Sequence, residues 1–141
     1  MHVPAMIAFL LALMLAPAAW AAELKTPAEA RKAALAGQVV LIDIRTPGEW
    51  ARTGVPDAAH ALNMHSQDFM SELTRLMDAN PGTPLALICA RGGRSSSLAA
   101  ALAERDISAF NVREGMLGSG DGPGWLARSL PVRRPDAPRT E

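Results

Sequence analysis

Apolar and polar residues alternate along the chain in blocks that predict short strands separated by helices. Continuous apolar runs at residues 39–42 and 85–88 are typical of strands that are covered on both faces of a parallel sheet. Shorter apolar stretches at residues 58–62 and 109–112 predict two further strands. Each strand is followed by a polar or glycine-containing turn, as expected where a chain leaves a sheet.

Helices are predicted between these strands. Residues 26–29 and 46–49 both read Thr-Pro-X-Glu, a capping box with proline at the first helical position. A third helix is predicted from Ser66, because apolar positions recur there at helical spacing until Asn-Pro-Gly at residues 80–82 ends it. A fourth is predicted over residues 96–105. Strands that alternate with helices indicate an α/β fold with a parallel sheet.

The single cysteine, Cys89, directly follows the strand predicted at residues 85–88 and opens the loop Cys-Ala-Arg-Gly-Gly-Arg-Ser. Glycines let backbone N–H groups converge, and the following helix N-terminus adds partial positive charge. Such a loop stabilises a thiolate and lowers the pKa of the thiol. The alternative is an unreactive, buried cysteine. The position of Cys89, at the end of the apolar run and the start of the polar loop, favours the reactive thiol.

Composition narrows the range of functions. The chain has 141 residues, enough for one domain, and its 14 basic and 14 acidic residues cancel. That balance gives no case for binding nucleic acid or an anionic membrane surface. One cysteine cannot form an intramolecular disulfide, and no histidine cluster accompanies it, so neither a metal nor a cofactor is expected.

The two ends of the chain differ from its middle. Residues 1–22 contain no charged side chain, residues 5–15 are apolar, and Ala19-Trp20-Ala21 offers small residues where a signal peptidase cleaves. We therefore expect a signal peptide over residues 1–21 and a periplasmic protein. The alternative, an uncleaved anchor, has an apolar segment that is short for a span of about 20 residues. Residues 133–141 are polar and proline-bearing, which predicts a disordered tail.

Three blocks of this sequence resemble the rhodanese (sulfurtransferase) family. They occur in the family's order and span residues 25–132. The resemblance implies a single rhodanese-like domain over residues 22–132, with a parallel five-stranded sheet flanked by helices. The matching blocks are residues 41–50 with 55–58, residues 89–95, and residues 114–116 with Trp125 and residues 130–132.

The family resemblance also implies a chemistry, the transfer of a sulfane sulfur through a cysteine persulfide. Cys89 would be the nucleophile, taking sulfur from thiosulfate or a small persulfide and passing it to cyanide or a thiol. Asp43 and Arg45 match the family's supporting Asp-X-Arg pair. Arg94 would help to hold the anionic donor. The N–H groups around the transferred sulfur would be those of Ala90, Arg91, Gly92, Gly93, Arg94 and Ser95.

The sequence departs from the family pattern in two places. Residues 53–58 read Thr-Gly-Val-Pro-Asp-Ala, without the histidine that the family usually carries there. A glycine-rich stretch at residues 117–124 precedes Trp125, and it is expected to be either a surface connection or a border of the active site. Neither departure removes the nucleophile, but the second leaves the choice of substrate open.

Two other functional classes compete with this interpretation. Cysteine-dependent phosphatases place an arginine six residues after the cysteine to grip a phosphoryl group. Here Ser95 occupies that position and Arg94 comes one residue early. A non-catalytic rhodanese-fold module, binding a partner or sensing sulfur, is the other alternative, although loss of the loop cysteine usually marks such modules. The expected partners are therefore a small anionic sulfur donor and an acceptor, without nucleic acid or stable membrane association.

Overall fold

A computed structural model of the chain describes residues 26–141. The predicted signal peptide, residues 1–21, lies outside the described residues. Helices and strands alternate along the described segment, as the apolar pattern predicts. In chain order they are α1 (Pro27–Leu35), β1 (Val40–Asp43), α2 (Pro47–Thr53), β2 (Val55–Pro56), β3 (His60–Ala61), α3 (Phe69–Ala79), β4 (Leu85–Ile88), α4 (Gly93–Ala103), β5 (Ala109–Asn111) and β6 (Val132–Arg133).

The central sheet is parallel and has four strands in the order β3-β1-β4-β5. Its two middle strands, β1 and β4, are buried along their whole length, which explains their continuous apolar sequences. The expected fifth strand is not part of this sheet. The short β2 instead pairs antiparallel with β6 in a separate two-stranded sheet. Pro56, the second residue of β2, has no N–H to donate, so this segment suits an edge pairing.

The helices begin where their capping residues predict, with two adjustments. Thr46 and Glu49 form the complete capping box of α2, in which each side chain accepts the other residue's backbone N–H. The helix predicted from Ser66 begins at Phe69, after a turn in which the Asp68 N–H bonds the Ser66 hydroxyl at 3.2 Å. The helix predicted from Ser96 begins three residues earlier, inside the cysteine loop, where α4 starts at Gly93.

The core has two halves, one on each face of the sheet. Because side chains alternate along a strand, Leu41 and Ile88 pack on one face with α1 and Trp125. Ile42 and Leu87 pack on the other face with α3 and α4. Cys89 belongs to the second half, directly after β4. Apolar burial on both faces thus fixes the strand from which the cysteine loop leaves.

The segment that follows Val132 contacts the domain in the structure. The predicted domain boundary at residue 132 falls within β6, and the Arg133 guanidinium donates to the Ala59 carbonyl at 2.7 Å. Further along, the Thr140 N–H donates to the Asp57 carbonyl at 2.9 Å. Residues 133–141, expected from composition to be a disordered tail, are therefore hydrogen-bonded to the β2–β3 connection. Within residues 26–141, no helix has the length and apolar character needed to cross a bilayer.

Candidate active site

The Cys89 thiol lies at the carboxyl edge of the sheet and is 1% exposed. Its sulfur accepts the Gly92 N–H at 3.2 Å and lies 3.1 Å from the Ser95 hydroxyl oxygen. Gly92 has a φ of 88°, a left-handed conformation that turns the chain back over the sulfur and directly into α4. The loop predicted from sequence therefore wraps the thiol with hydrogen-bond donors.

Asn111, the last residue of β5, holds the two residues that contact the sulfur, Gly92 and Ser95. Its side-chain oxygen accepts the Ser95 hydroxyl at 2.5 Å, and its amide nitrogen donates to the Gly92 carbonyl at 3.0 Å. Sequence reasoning did not identify Asn111. The signal that was available is its position, since a polar residue that ends a parallel strand faces the same edge as Cys89.

The thiol is activated by its surroundings. Burial raises the pKa of the Cys89 thiol, but hydrogen bonds from the Ser95 hydroxyl and from backbone N–H groups of the loop lower it. The net effect holds its pKa below that of an ordinary cysteine. The loop thus favours the thiolate, which is the nucleophilic form.

The Arg94 guanidinium is paired with Glu49 of α2. Its two terminal nitrogens donate to the two carboxylate oxygens at 2.9 and 2.7 Å, a bidentate ion pair. The hydrogen bond to Glu49 is the main cause that raises the pKa of Arg94, and the Cys89 thiolate raises it by a smaller contribution. The sequence predicted that Arg94 would meet a donor, and it did not identify Glu49 as its partner.

Glu49 is fixed on its other side as well. The N–H and hydroxyl of Thr46 both donate to one carboxylate oxygen at 3.0 Å. The hydrogen bond from Arg94, together with those from Thr46, lowers the pKa of Glu49 to about 2 despite partial burial. The capping box of α2 therefore also holds an ionised carboxylate beside the cysteine loop.

The remaining loop residues join the cysteine loop to the glycine-rich segment. The Arg91 guanidinium donates to the Gly118 carbonyl at 3.1 Å. The Ala90 carbonyl accepts the Leu117 N–H at 2.9 Å, and the Cys89 carbonyl accepts the Met116 N–H at 2.9 Å. Of the predicted substrate-binding residues, Gly92 and Ser95 contact the sulfur, and Arg94 contacts Glu49. The side chain of Arg91 is directed towards the glycine-rich segment, while Gly93 opens α4.

Asp43 and Arg45 form a buried ion pair at the end of β1. The Asp43 carboxylate accepts the backbone N–H of Arg45 and two nitrogens of its guanidinium, the shortest contact being 2.8 Å. The same guanidinium donates to the Thr53 hydroxyl and the Gly54 carbonyl, each at 2.9 Å. This pair ties the end of β1 to the end of α2, an arrangement suited to a supporting role.

Glu114, part of the family-matching block at residues 114–116, organises the glycine-rich segment, residues 117–124, a role that the sequence did not predict. The side chain is 1% exposed and accepts the Gly124 N–H at 2.9 Å. Arg128 donates to both of its carboxylate oxygens at 2.8 Å. The segment is thereby bound to the body of the domain beside the cysteine loop. Within residues 26–141, no group of three or more His, Cys, Asp and Glu side chains is placed to hold a metal ion.

These contacts place a buried thiol with a lowered pKa just before the start of α4, next to the Gly92 N–H and the Ser95 hydroxyl. Comparisons with known proteins show the family to which the fold belongs. Residues 26–118 match the model of the rhodanese-like domain family. The crystal structure of Rv0390 from M. tuberculosis is similar to this chain, with 29% identity and a TM-score of 0.57, covering 78% of this chain and 96% of that one. No curated protein matches the sequence. The family match covers most of the chain, which therefore belongs to the rhodanese-like domain family.

Proposed function

We propose that this protein is a sulfurtransferase that carries a sulfane sulfur as a persulfide on Cys89. The donor would be thiosulfate or a small persulfide, and the acceptor cyanide or a thiol. The observation that carries the proposal is the environment of the Cys89 sulfur, which receives the Gly92 N–H and lies 3.1 Å from the Ser95 hydroxyl. These donors favour a thiolate without a separate general base.

In the first step, the Cys89 thiolate attacks the outer sulfur of thiosulfate. The new sulfur–sulfur bond forms as the old one breaks, and its electron pair leaves with sulfite. The enzyme is left with a persulfide anion, so no proton is required and charge is conserved. A persulfide donor reacts in the same way, with its thiolate as the leaving group. The N–H groups of residues 90–95 are the nearest donors for the terminal sulfur.

In the second step, the acceptor attacks the terminal sulfur of the persulfide. Cyanide forms thiocyanate and returns the Cys89 thiolate, while a thiolate acceptor becomes a new persulfide. The same loop donors that stabilise the resting thiolate stabilise the leaving thiolate in this step. One site therefore serves both halves of the reaction.

The geometry favours this chemistry over phosphoryl transfer. A phosphatase loop needs a guanidinium six residues after the cysteine, and here the Ser95 hydroxyl occupies that position against the sulfur. The preceding Arg94 is held by Glu49. The Gly92 N–H and the Ser95 hydroxyl at the sulfur favour a reactive thiol over a purely non-catalytic module, in which the thiol has no role.

Intact mass spectrometry tests the proposal. Reduced, folded protein exposed to thiosulfate or to methanethiosulfonate should gain the mass of one sulfur atom. Cyanide should remove that sulfur as thiocyanate. Cys89→Ser should gain nothing, because its hydroxyl does not ionise near neutral pH. A wild-type protein that neither donor modifies would overturn the assignment.

We propose further that the protein acts in the periplasm after cleavage behind Ala21. Support comes from the uncharged, apolar sequence of residues 1–22 and from the small residues at positions 19 and 21. N-terminal sequencing of the exported protein should give Ala22 as the first residue. Recovery of the chain from the membrane fraction with Met1 retained would contradict this.

A further inference from the structure

The ion pair between Arg94 and Glu49 places a fixed negative charge beside the loop that carries the reactive cysteine. We infer that Glu49 is a specificity-determining residue, and that it selects sulfur donors with less negative charge than the thiosulfate dianion. The favoured class is alkyl persulfides and alkanethiosulfonates, which carry a single negative charge at the reacting end. This inference rests on the proposed sulfur transfer at Cys89.

The pair occupies the end of the Arg94 guanidinium that its two terminal nitrogens form, using two of the five N–H donors. Both terminal nitrogens of Arg94 donate to Glu49, at 2.9 and 2.7 Å. A sulfonate group that took the same two nitrogens would have to displace a carboxylate from a bidentate contact. Glu49 would then lie, unpaired by arginine, next to the incoming anion. Binding a dianion at Arg94 therefore opposes the existing pair.

Glu49 is also prevented from turning away. Two further donors, the N–H and the hydroxyl of Thr46, hold one of its oxygens at 3.0 Å. Because these contacts belong to the capping box of α2, moving the carboxylate would also weaken the start of that helix. The Glu49 carboxylate is thus held in place by Thr46 and Arg94.

The other arginine of the loop does not offset this charge at the sulfur. The Arg91 guanidinium donates to the Gly118 carbonyl, so it is directed towards the glycine-rich segment. Of the two arginines in the loop, Arg94 is therefore the one whose guanidinium is paired with Glu49. An approaching donor meets more repulsion with each negative charge it carries.

Two alkylating reagents of different charge test the inference at the sulfur itself. Wild-type Cys89 should react more slowly with iodoacetate than with iodoacetamide, relative to the uncharged reference thiol 2-mercaptoethanol. Glu49→Gln keeps the side-chain shape and an acceptor for Thr46, and it should raise the iodoacetate-to-iodoacetamide ratio by about tenfold. Glu104→Gln, which removes the same charge at the exposed far end of α4, should leave the ratio unchanged.

A matched pair of sulfur donors then tests selectivity in the reaction. Thiosulfate is a dianion and methanethiosulfonate a monoanion, while both deliver the same outer sulfur. Glu49→Gln should raise kcat/KM for thiosulfate relative to methanethiosulfonate by about tenfold, mainly through KM. Thiocyanate formation from cyanide measures both rates, with Glu104→Gln as the control.

The two experiments separate the possible failures. If neither donor modifies wild-type Cys89, the proposed function is wrong, whatever the alkylation ratios are. If both donors react but the ratio of kcat/KM for thiosulfate to that for methanethiosulfonate is the same in Glu49→Gln as in Glu104→Gln, Glu49 does not determine specificity. The proposed sulfur transfer at Cys89 is unaffected by that result. If Glu49→Gln does not fold, the wild-type protein alone tests the inference. An iodoacetate-to-iodoacetamide rate ratio for wild-type Cys89 equal to that of 2-mercaptoethanol would overturn it.

Discussion

Ser95 places its hydroxyl oxygen 3.1 Å from the sulfur of Cys89, six positions earlier in the chain. The same hydroxyl lies 2.5 Å from the side-chain oxygen of Asn111. A hydroxyl has one proton to donate. With a neutral thiol, the S–H can donate to Ser95 while Ser95 donates to Asn111. With a thiolate, the hydroxyl turns towards the sulfur, so Asn111 and Cys89 compete for one proton.

Ser95→Ala should make the Cys89 thiol less reactive. The Ser95 hydroxyl is the largest of the contributions that lower the pKa of this thiol, so its removal should raise the pKa. A hydrogen bond to a charged group contributes about 1.5–3 kcal/mol, which predicts a fall of about tenfold or more in iodoacetamide alkylation at a pH below the pKa. The pH profile of alkylation measures both effects.

Ser96→Ala is the matched control, since Ser96 is an exposed residue of the same helix. It should leave the pH profile of wild type unchanged. If Ser95→Ala also leaves that profile in place, the backbone N–H groups alone would account for the activation of the thiol.

The sequence predicted the elements whose causes are local. The runs that became β1 and β4 are continuous because both faces of these strands are covered. Thr26 and Thr46 each cap a helix by accepting the N–H of the residue three positions later. The Cys89 loop was likewise predicted, since strand, glycines and helix follow one another in the chain. Even there, the start of α4 was placed three residues late, at Ser96 instead of Gly93.

The features that sequence reasoning missed depend on contacts between distant segments. Glu49 and Arg94 are 45 positions apart, and only the docking of α2 beside the cysteine loop brings them together. Asn111 reaches Ser95 because β5 pairs with β4 in one particular register. The family resemblance implied a fifth strand in the parallel sheet. The sheet has four strands, and β2 pairs with β6 in a separate sheet.

Glu49 should also affect stability in acid. Its pKa is about 2 in the folded protein against an ordinary 4.5, mainly because Arg94 donates to it. An acid whose pKa is lowered by folding stabilises the fold above its unfolded pKa, and that stabilisation disappears as the pH falls from about 4.5 to about 2. Wild type should therefore exceed Glu49→Gln in free energy of unfolding by about 1–3 kcal/mol at neutral pH.

Urea unfolding of the two proteins at several pH values measures this difference. The gap should narrow as the pH falls from about 4.5 and should close below about pH 2, where Glu49 becomes protonated in folded wild type. Subtracting the variant cancels the other carboxylates, which titrate in both proteins. A gap that stays constant down to pH 2 would mean that the ion pair does not hold the carboxylate ionised.

Glu114→Ala should loosen the glycine-rich segment. The substitution leaves the buried Gly124 N–H without its acceptor and Arg128 without its carboxylate. Leaving a buried N–H without its acceptor costs about 1–3 kcal/mol of unfolding free energy. Hydrogen exchange at the Gly124 amide should accelerate by more than at the amides of β4. Asp121→Asn, an exposed change in the same segment, should do neither.

Gly115→Ala should disturb the cysteine loop from the opposite side. Gly115 has a φ of 68°, and a Cβ there would meet the Ala90 carbonyl and lie 2.8 Å from the Arg91 nitrogen. A residue with a side chain adopts this backbone conformation at a cost of about 1–3 kcal/mol. The contact would also push away the Ala90–Arg91 peptide of the cysteine loop. Both stability and sulfur transfer should fall.

Gly120→Ala is the control for this prediction, because a Cβ at that position meets no atom within 4 Å. It should retain wild-type unfolding and wild-type sulfur transfer. The comparison separates a general loss of glycine from the close approach at residue 115. If Gly115→Ala unfolds like wild type and transfers sulfur at the wild-type rate, the contact with the Ala90–Arg91 peptide does not shape the loop. The position of the N–H groups around the sulfur would then depend on other contacts of the loop, such as those of Asn111 with Ser95 and Gly92.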